Sequence, residues 1–116
     1  MRFEVNRLLF LIACAALPAT ANAVQLEEIS GSSCGQWTEV QAAGNTVLGA
    51  QFRGWVMGFM SGWAWTHPKT DPIKNVDAPG MFGWVDNYCK DHPLDSIATA
   101  SEHLAAELEA RAAKHK

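Results

Sequence analysis

Two cysteines constrain this chain more than any other feature. Cys34 and Cys89 are the pair that remains when a leader segment carrying Cys14 is set aside. An even number of cysteines in an oxidising compartment predicts a disulfide, and a bridge here closes a loop of about 56 residues. In the chain-entropy model such a bridge stabilises the fold by roughly 4 kcal/mol. Neither cysteine has a catalytic partner motif nearby, so the sequence favours a structural role over that of a catalytic thiol.

The leader is predicted from the first 23 residues. Arg2 and Arg7 precede an apolar run from Leu8 to Leu17, and Ala21-Asn22-Ala23 then supplies the small residues that signal peptidase accepts. This order is typical of a secretory signal peptide, and the run is shorter than the roughly 20 apolar residues that span a bilayer. We therefore expect an exported, periplasmic protein that begins at Val24 and has no transmembrane span.

A second interpretation of the leader remains open. Leu11-Ile12-Ala13-Cys14 fits the lipobox pattern, in which the cysteine is lipidated and becomes the new N-terminus. The apolar run is unusually short before Cys14 and continues past it, so the sequence favours cleavage after Ala23. Both routes carry the protein out of the cytoplasm.

Residues 24–116 amount to 93 residues, which is enough for one domain and too few for two. A chain of this size buries only about 60–65% of its unfolded surface, so its core alone is marginal. It carries seven Lys and Arg side chains against eleven carboxylates, a net charge of −4. That balance, without a basic stripe, argues against nucleic acid as a partner.

The pattern downstream predicts four helices and no strand, so the expected fold is an all-α single domain closed by the disulfide. A first short helix begins with Ser32 or Ser33 as N-cap and runs to about Ala43, before a break at Gly44-Asn45. The second helix, the most apolar of the four, covers residues 47–65.

Two more helices follow a loop rich in Pro, Asp and Lys. Asp77 is the expected N-cap of the third helix, which runs to about Cys89. The fourth helix is predicted to start at Pro93, with an outer i, i+4 ion pair between Glu107 and Arg111. Its inward stripe, at helical spacing, comprises Leu94, Ile97, Ala98, Ser101, Leu104, Ala105 and Leu108.

Glycines recur along the second helix at Gly54, Gly58 and Gly62, on one stripe at helical spacing. Each costs about 1 kcal/mol of helix propensity relative to alanine, so three in succession need a reason. The favoured reason is close packing in the core, since a missing side chain lets another backbone approach. The same pattern marks helix dimers in lipid, and a self-association surface remains an open alternative.

Aromatic side chains are concentrated beside these glycines. Five tryptophans occur in the chain, four of them between Trp55 and Trp84. A helical domain this small is not expected to hide them all, and exposed aromatic side chains usually mark a binding surface. The expected apolar binding surface comprises Phe52, Trp55, Phe59, Trp63 and Trp65.

The sequence contains no catalytic constellation, so we expect no enzyme activity, no metal and no cofactor. The histidines never fall at H-x-x-x-H spacing, no C-x-x-C occurs, and Gly58-Phe59-Met60-Ser61-Gly62 lacks the G-x-S-x-G spacing of a nucleophile elbow. Asp86, Asp91 and Asp95 cluster near a turn between helices. Solvated caps and helix-end charges explain them more simply than a catalytic carboxylate pair does.

Several of these segments together resemble the HdeA/HdeB family of periplasmic acid-stress chaperones. The likeness lies in the signal peptide, in Ser33-Cys34-Gly35-Gln36-Trp37, in the glycine-containing middle helix, and in Tyr88-Cys89-Lys90-Asp91-His92-Pro93 before an amphipathic helix. It covers about residues 32–110. The resemblance implies an all-α fold with the Cys34–Cys89 bridge, a homodimer at neutral pH, and an ATP-independent holdase of unfolding proteins that acid switches on.

Acid offers a physical route to that activity. Carboxylates that are paired in a folded protein have depressed pKa values, and the stabilisation they supply is lost as pH falls through the folded pKa. Protonation also leaves a strongly positive, self-repelling chain. We expect loosening to expose the middle helix, Phe52–Trp65, for binding to unfolding proteins, while the disulfide limits the unfolding.

A second class of function stays open. With its cysteine-pinned core and its Gly-Trp middle helix, this chain also resembles small exported immunity proteins of the Tai type. Those proteins neutralise a secreted toxin in the periplasm. Such a protein would be a stable, stoichiometric binder of one partner. The alanine-rich C-terminus and the Trp- and Gly-rich segment from Gln51 to Trp65 are unusual for the acid chaperones. Membership of that family and retention of the acid switch are therefore separate hypotheses.

Overall fold

Four helices of nine residues or more make up the fold that the computed structural model describes, within residues 29–44 and 46–115. They are α1 (Cys34–Ala42), α2 (Thr46–Thr66), α3 (Ala78–Asp91) and α4 (Ile97–Lys114). A helical turn at residues 29–31 precedes α1, and the described residues form no strand, only an isolated bridge between Ser33 and Ser96. The predicted all-α fold is confirmed. The predicted signal peptide and Cys14 lie outside the described residues.

Side-chain caps set the starts of α1 and α3, as the sequence predicts. The Ser33 hydroxyl accepts a hydrogen bond from the Gln36 amide at 3.2 Å, and Gln36 Oε1 accepts one from the Ser33 amide at 3.0 Å, which together form a capping box. Asp77 Oδ1 accepts a hydrogen bond from the Gly80 amide at 2.8 Å and begins α3. After α1 the chain turns at Gly44, whose φ of 65° favours glycine.

The start of α4 differs from the prediction. The helix begins at Ile97 with Ser96 as N-cap, rather than at Pro93. The carbonyls of Pro93 and Asp95 instead accept hydrogen bonds from α1, at 2.9 and 2.8 Å, so this segment forms a turn that bonds another helix. Leu94 lies on that turn and is 95% exposed, so its predicted inward position is wrong.

The buried face of α4 otherwise follows the predicted stripe. Ile97, Ala100, Ser101, Leu104, Ala105 and Leu108 are buried, whereas Ala98 is half-buried. The Ser101 hydroxyl donates to the Ile97 carbonyl at 2.8 Å, so this buried polar group is satisfied within its own helix. On the outer face, Arg111 Nε donates to Glu107 Oε1 at 2.9 Å, which confirms the predicted i, i+4 pair.

All four helices contribute to one hydrophobic core. Its members are Cys34 and Trp37 of α1, Phe52, Val56 and Met60 of α2, Met81, Val85 and Cys89 of α3, and Ile97, Ala100, Leu104, Ala105 and Leu108 of α4. The predicted disulfide is present, with Cys34 and Cys89 Sγ atoms 2.12 Å apart and their Cα atoms 4.7 Å apart. Both cysteines are buried, so the bridge is part of the core.

Three of the helices are tied together by more than packing. The disulfide joins α1 to α3. The amides of Cys34 and Gly35 donate to the turn before α4, and the Ile97 amide donates to the Ser32 carbonyl at 2.9 Å. We call α1, α3, α4 and the turn between α3 and α4 the disulfide-bonded unit. Helix α2 lies outside it.

Candidate functional site

Helix α2 carries the residues that the sequence assigns to a binding surface, and its two faces differ sharply. The inner face packs Phe52, Val56 and Met60 into the core. Phe52 is only 4% exposed, and its ring centroid lies 6.1 Å from that of Trp37. The predicted place of Phe52 on an exposed surface is therefore wrong for the folded protein, in which it is a core residue.

Aromatic rings stack along one edge of α2 at a spacing of four residues. The ring centroids of Trp55 and Phe59 are 5.6 Å apart, those of Phe59 and Trp63 are 6.2 Å apart, and those of Trp63 and His67 are 4.6 Å apart. We call these four residues the α2 ladder. All four are half-buried, and the three apolar ones pack against the core. Side chains four residues apart meet on a helix surface, so the backbone itself aligns the rings.

The α2 ladder contains a buried polar atom that is not satisfied. Trp63 Nε1 is buried and has no hydrogen-bond partner among the described residues. An unpaired buried donor costs about 1–3 kcal/mol relative to the same group in water. Apolar packing therefore keeps the Trp63 ring buried even though its unpaired N–H group is destabilising.

Helix α2 is joined to the disulfide-bonded unit by its side chains. In the described part of the chain, no backbone hydrogen bond runs between α2 and another helix. Near its start, Arg53 Nη2 donates to Gln41 Oε1 at 2.6 Å, and the guanidinium lies 5.5 Å from the ring centroid of Phe82. Just past its end, His67 Nε2 lies 3.6 Å from Glu109 Oε1 of α4. Between the described residues, α2 also packs its apolar inner face against the core.

The outer face of α2 is open. Gly54, Gly58 and Gly62 are exposed, and a Cβ atom placed on any of them would meet no atom of the described chain within 4 Å beyond its own helix. The prediction that these glycines serve close packing inside the domain is therefore wrong. Gly49 is the glycine of α2 that faces α1, with Val40 Cγ1 3.9 Å from its Cβ position.

Large apolar side chains stand at both ends of this outer face. Trp65 is 87% exposed and Val47 is 71% exposed. Of the five aromatic residues predicted to form a binding surface, Trp65 alone is fully on the surface of the described chain. No helix in residues 29–44 and 46–115 is both long and apolar enough to cross a membrane.

A second stack of rings runs along α3. The ring centroids of Trp84 and Tyr88 are 5.4 Å apart, those of Tyr88 and His92 are 4.3 Å apart, and His103 of α4 lies 5.1 Å from Tyr88. The Tyr88 hydroxyl donates to Asp95 Oδ2 at 2.6 Å. This hydrogen bond, followed by burial and by the charge of Asp95, raises the pKa of Tyr88 to about 12. The phenol therefore stays neutral and remains a donor at physiological pH.

Two of the aspartates near the turn between α3 and α4 have structural partners. Asp86 Oδ1 accepts a hydrogen bond from Trp37 Nε1 at 2.6 Å, which joins α3 to α1, and Asp95 accepts the bond from Tyr88. The prediction of solvated charges missed these two hydrogen bonds, although Asp86 is exposed and Asp95 half-buried. It holds for Asp91, which is exposed at the last position of α3. Trp37 and Asp86 are 49 positions apart, so no local pattern in the sequence pairs them.

The spacing of the α2 ladder is visible in the sequence, but the predicted surface did not include His67, its fourth member. Within the described ranges, no three His, Cys, Asp or Glu side chains are grouped so that they could hold a metal ion. No family model, curated protein or solved structure matches this chain.

Proposed function

We propose that this protein is an ATP-independent holdase of the cell envelope that binds unfolding proteins at low pH through the inner face of α2. One observation carries the proposal: α2 presents its aromatic face to a unit that the disulfide and backbone hydrogen bonds hold together, while α2 itself is attached by side chains. Loosening would therefore release α2 first. The rest of the domain would keep a covalent link between α1 and α3.

The surface that release uncovers suits an unfolding client. It comprises Phe52, Val56 and Met60 together with the three apolar rings of the α2 ladder. Burial of one such side chain contributes about 1.5–3 kcal/mol, so a client with exposed apolar segments gains by covering several of them. The unpaired Trp63 Nε1 would reach water or a client carbonyl, which lowers the cost of release.

Acid acts on the polar contact at the C-terminal end of α2. The carboxylate of Glu109 faces the imidazole of His67 at 3.6 Å, a contact that is an ion pair only while the imidazole carries a proton and the carboxyl does not. Carboxyl side chains take up protons near pH 4. With the carboxylates neutral, the remaining charges of the chain are positive and repel one another. Both effects favour a looser domain at low pH.

The direct test follows the disulfide-bonded protein from about pH 7 to about pH 2, where paired carboxylates become protonated. We expect binding of an apolar dye to rise below about pH 4, together with suppression of aggregation of an acid-denatured client without ATP. A protein that stays folded, dye-silent and inert toward aggregating clients at the acid end contradicts the proposal. That outcome would favour the immunity-protein alternative, a stable binder of a single partner.

A matched pair of variants tests the contact between His67 and Glu109. Glu109→Gln imitates the protonated carboxyl and is expected to shift the onset of dye binding to higher pH. The shift is small, since a partly exposed ion pair contributes about 1 kcal/mol at most. Glu102→Gln is the control, because Glu102 is exposed on the same helix and makes no ion pair among the described residues. Equal shifts for both variants would remove Glu109 from the mechanism.

A further inference from the structure

An open cavity of about 640 Å³ lies between the loop at residues 67–77 and the last turns of α4. Basic side chains border it, Lys69 and Lys74 from the loop and Arg111 and His115 from the end of α4. We call it the basic cavity. Its two lysines and its arginine are half of the six Lys and Arg side chains in the part of the chain that the structure describes. The whole chain carries a net charge of −3, so this cavity departs from the overall charge balance.

Most of the positive charge at the basic cavity is not paired. Among the described residues, neither Lys69 nor Lys74 forms an ion pair. Arg111 donates through Nε to Glu107 at 2.9 Å, which leaves the N–H groups of its two terminal nitrogens for another acceptor. Asp71 is the one carboxylate in the lining. The C-terminus of α4 adds about half a negative charge, so three cations still leave an excess of positive charge.

The loop that carries the two lysines is folded into tight turns. Asp71 has a φ of 45° and Asn75 a φ of 60°, in the left-handed region that residues other than glycine rarely adopt. The Lys74 amide donates to the Asp71 carbonyl at 3.0 Å, and the Val76 amide donates to the Ile73 carbonyl at 3.1 Å. Ile73 and Val76 also pack against the core. The wall of the cavity is therefore built before a ligand arrives, which lowers the ordering cost of binding.

A second open cavity, of about 450 Å³, adjoins the first. The two cavities share four lining residues, Asn75, Val76, Leu108 and Arg111, so they lie side by side. Beyond this boundary, α3 and α4 line the second cavity with the apolar side chains of Met81, Trp84 and Leu104. We call it the apolar cavity. A basic and an apolar compartment thus meet at Arg111.

We propose that the two cavities bind a small phosphate monoester with an apolar chain. The phosphate lies in the basic cavity, and the chain lies in the apolar cavity. A phosphate monoester carries about −1.5 to −2 charges at neutral pH and has three strong acceptor oxygens. Lys69, Lys74 and Arg111 supply a matching number of cations, and an arginine fork suits phosphate geometry. Both volumes lie within the range of about 300–1,000 Å³ that is typical of small-molecule sites.

A carboxylate at the far end fixes the orientation of the ligand. Asp77 lines the apolar cavity, where its Oδ1 accepts a hydrogen bond from the Gly80 amide at 2.8 Å. Its negative charge repels a phosphate, whereas the basic cavity attracts one. The charged head is therefore directed away from α3 and toward the lysines.

The concave shape favours a free small molecule over a membrane surface. Pro72 and Leu108 line the basic cavity and are buried, so they form its floor. The exposed Lys69 and Lys74 stand at its rim. A flat layer of lipid headgroups reaches the rim without the floor, whereas a single molecule reaches both.

The first experiment titrates the disulfide-bonded protein with hexyl phosphate at neutral pH by calorimetry. We expect saturable binding with a dissociation constant below about 1 mM. Inorganic phosphate lacks the chain and hexanol lacks the charge, so each is expected to bind at least about tenfold more weakly. Failure of hexyl phosphate to bind would overturn the proposal, as would equal affinity for inorganic phosphate. Tighter binding of heptanoate would overturn the assignment of phosphate as the head group.

Charge variants locate the head group. Lys69→Gln and Lys74→Gln are each expected to weaken binding of hexyl phosphate at least about fivefold, because each removes a charge-assisted contact. Lys90→Gln is the matched control, since Lys90 is exposed on α3 and lines neither cavity. All three positions are exposed, so the thermal midpoints should match that of the wild type. Equal weakening by Lys90→Gln would show general attraction of anions and would overturn the site.

Chemical shifts locate the chain. On addition of hexyl phosphate, the indole N–H signal of Trp84 is expected to move, whereas that of Trp65, which is 87% exposed and lines neither cavity, stays in place. A Trp84 signal that does not respond would contradict the role of the apolar cavity. Vesicles of anionic phospholipid provide the last comparison. A protein that binds them but not hexyl phosphate would have a membrane-binding surface here, which overturns the proposal.

This inference does not rest on the proposed holdase activity. Ligand binding is measured with the folded protein at neutral pH, and the holdase is measured in acid. A protein that protects clients in acid and ignores hexyl phosphate would overturn the ligand site alone. A protein that binds hexyl phosphate and is inert in acid would overturn the holdase alone.

Discussion

The indole nitrogen of Trp37 donates a hydrogen bond to Asp86 Oδ1 at 2.6 Å, so the largest fully buried side chain of α1 is anchored to a carboxylate of α3. Trp37 is fully buried, whereas Asp86 lies on the surface. The bond joins the same two helices as the disulfide, through side chains three positions from each cysteine. Cys34 and Trp37 therefore hold α1 to α3 as a covalent and a polar contact one helical turn apart.

Asp86→Ala is expected to lower the free energy of unfolding by about 1–3 kcal/mol, because it leaves the buried indole N–H without an acceptor. Asp86→Asn keeps an acceptor without the charge and should fall between that variant and the wild type. Urea unfolding at neutral pH measures both changes. Asp91→Ala is the control, expected within about 0.5 kcal/mol of the wild type, since Asp91 is exposed at the end of α3. Equal losses at both positions would contradict a specific role for Asp86.

Tyr88 is the only tyrosine in the chain, so its ionisation can be followed directly by tyrosinate absorbance. We expect the phenol to titrate at a pKa of about 12 in the folded protein. An ordinary tyrosine titrates at about 10, and Asp95→Ala should return Tyr88 toward that value because it removes both the acceptor and the charge. A wild-type titration at the ordinary value would contradict the Tyr88–Asp95 hydrogen bond.

The same pKa predicts the alkaline limit of stability. The folded pKa of Tyr88 is above the unfolded value, so its contribution to stability is fully present below about pH 10. It is lost as the pH rises through the folded pKa of about 12. Urea unfolding across this window should therefore show a decline in stability that is weaker in Asp95→Ala than in the wild type.

Two apolar residues near the start of α4 are expected to respond very differently to truncation. Ile97 is fully buried at the first position of the helix, and Ile97→Ala should cost about 2–5 kcal/mol. Leu94 is 95% exposed on the preceding turn, and Leu94→Ala should change the free energy of unfolding by less than about 0.5 kcal/mol. Denaturant unfolding separates these values easily. A large loss at Leu94 would restore the sequence-based assignment of this residue to the core.

The disulfide is expected to be a large part of the total stability. The bridged cysteines are 55 positions apart, and the chain-entropy model assigns about 4 kcal/mol to a loop of this length. The double variant Cys34→Ala/Cys89→Ala should show this loss in urea unfolding, because it frees the unfolded chain while preserving apolar side chains in the core. A double variant as stable as the wild type would contradict the entropic account.

Much of the fold was determined by local sequence. The N-caps Ser33 and Asp77, the break at Gly44 and the 3.6-residue spacing of apolar side chains predicted all four helices. The two cysteines beyond the predicted leader predicted the bridge. Caps and apolar spacing depend on residues within one or two helical turns, so they can be recognised in the local sequence. The bridge was predicted from the number of cysteines alone.

The candidate site was predicted only in part. Local spacing identified α2 and its aromatic residues, but it assigned Phe52 to the surface and the glycine stripe to the core, and the structure reverses both assignments. Sequence spacing states which residues share a face of a helix. It does not state which face the neighbouring helices cover.

Tertiary structure alone decided the contacts between distant segments. The amides of α1 take the carbonyls of Pro93 and Asp95 as acceptors, which delays the start of α4 to Ile97 and leaves Leu94 in solvent. Asp86 and Asp95 likewise accept hydrogen bonds from Trp37 and Tyr88, and these bonds form only in the folded protein. Folding brings the donors of Trp37 and Tyr88 within reach of these carboxylates, and the N–H of the fully buried Trp37 would cost about 1–3 kcal/mol if it stayed unpaired.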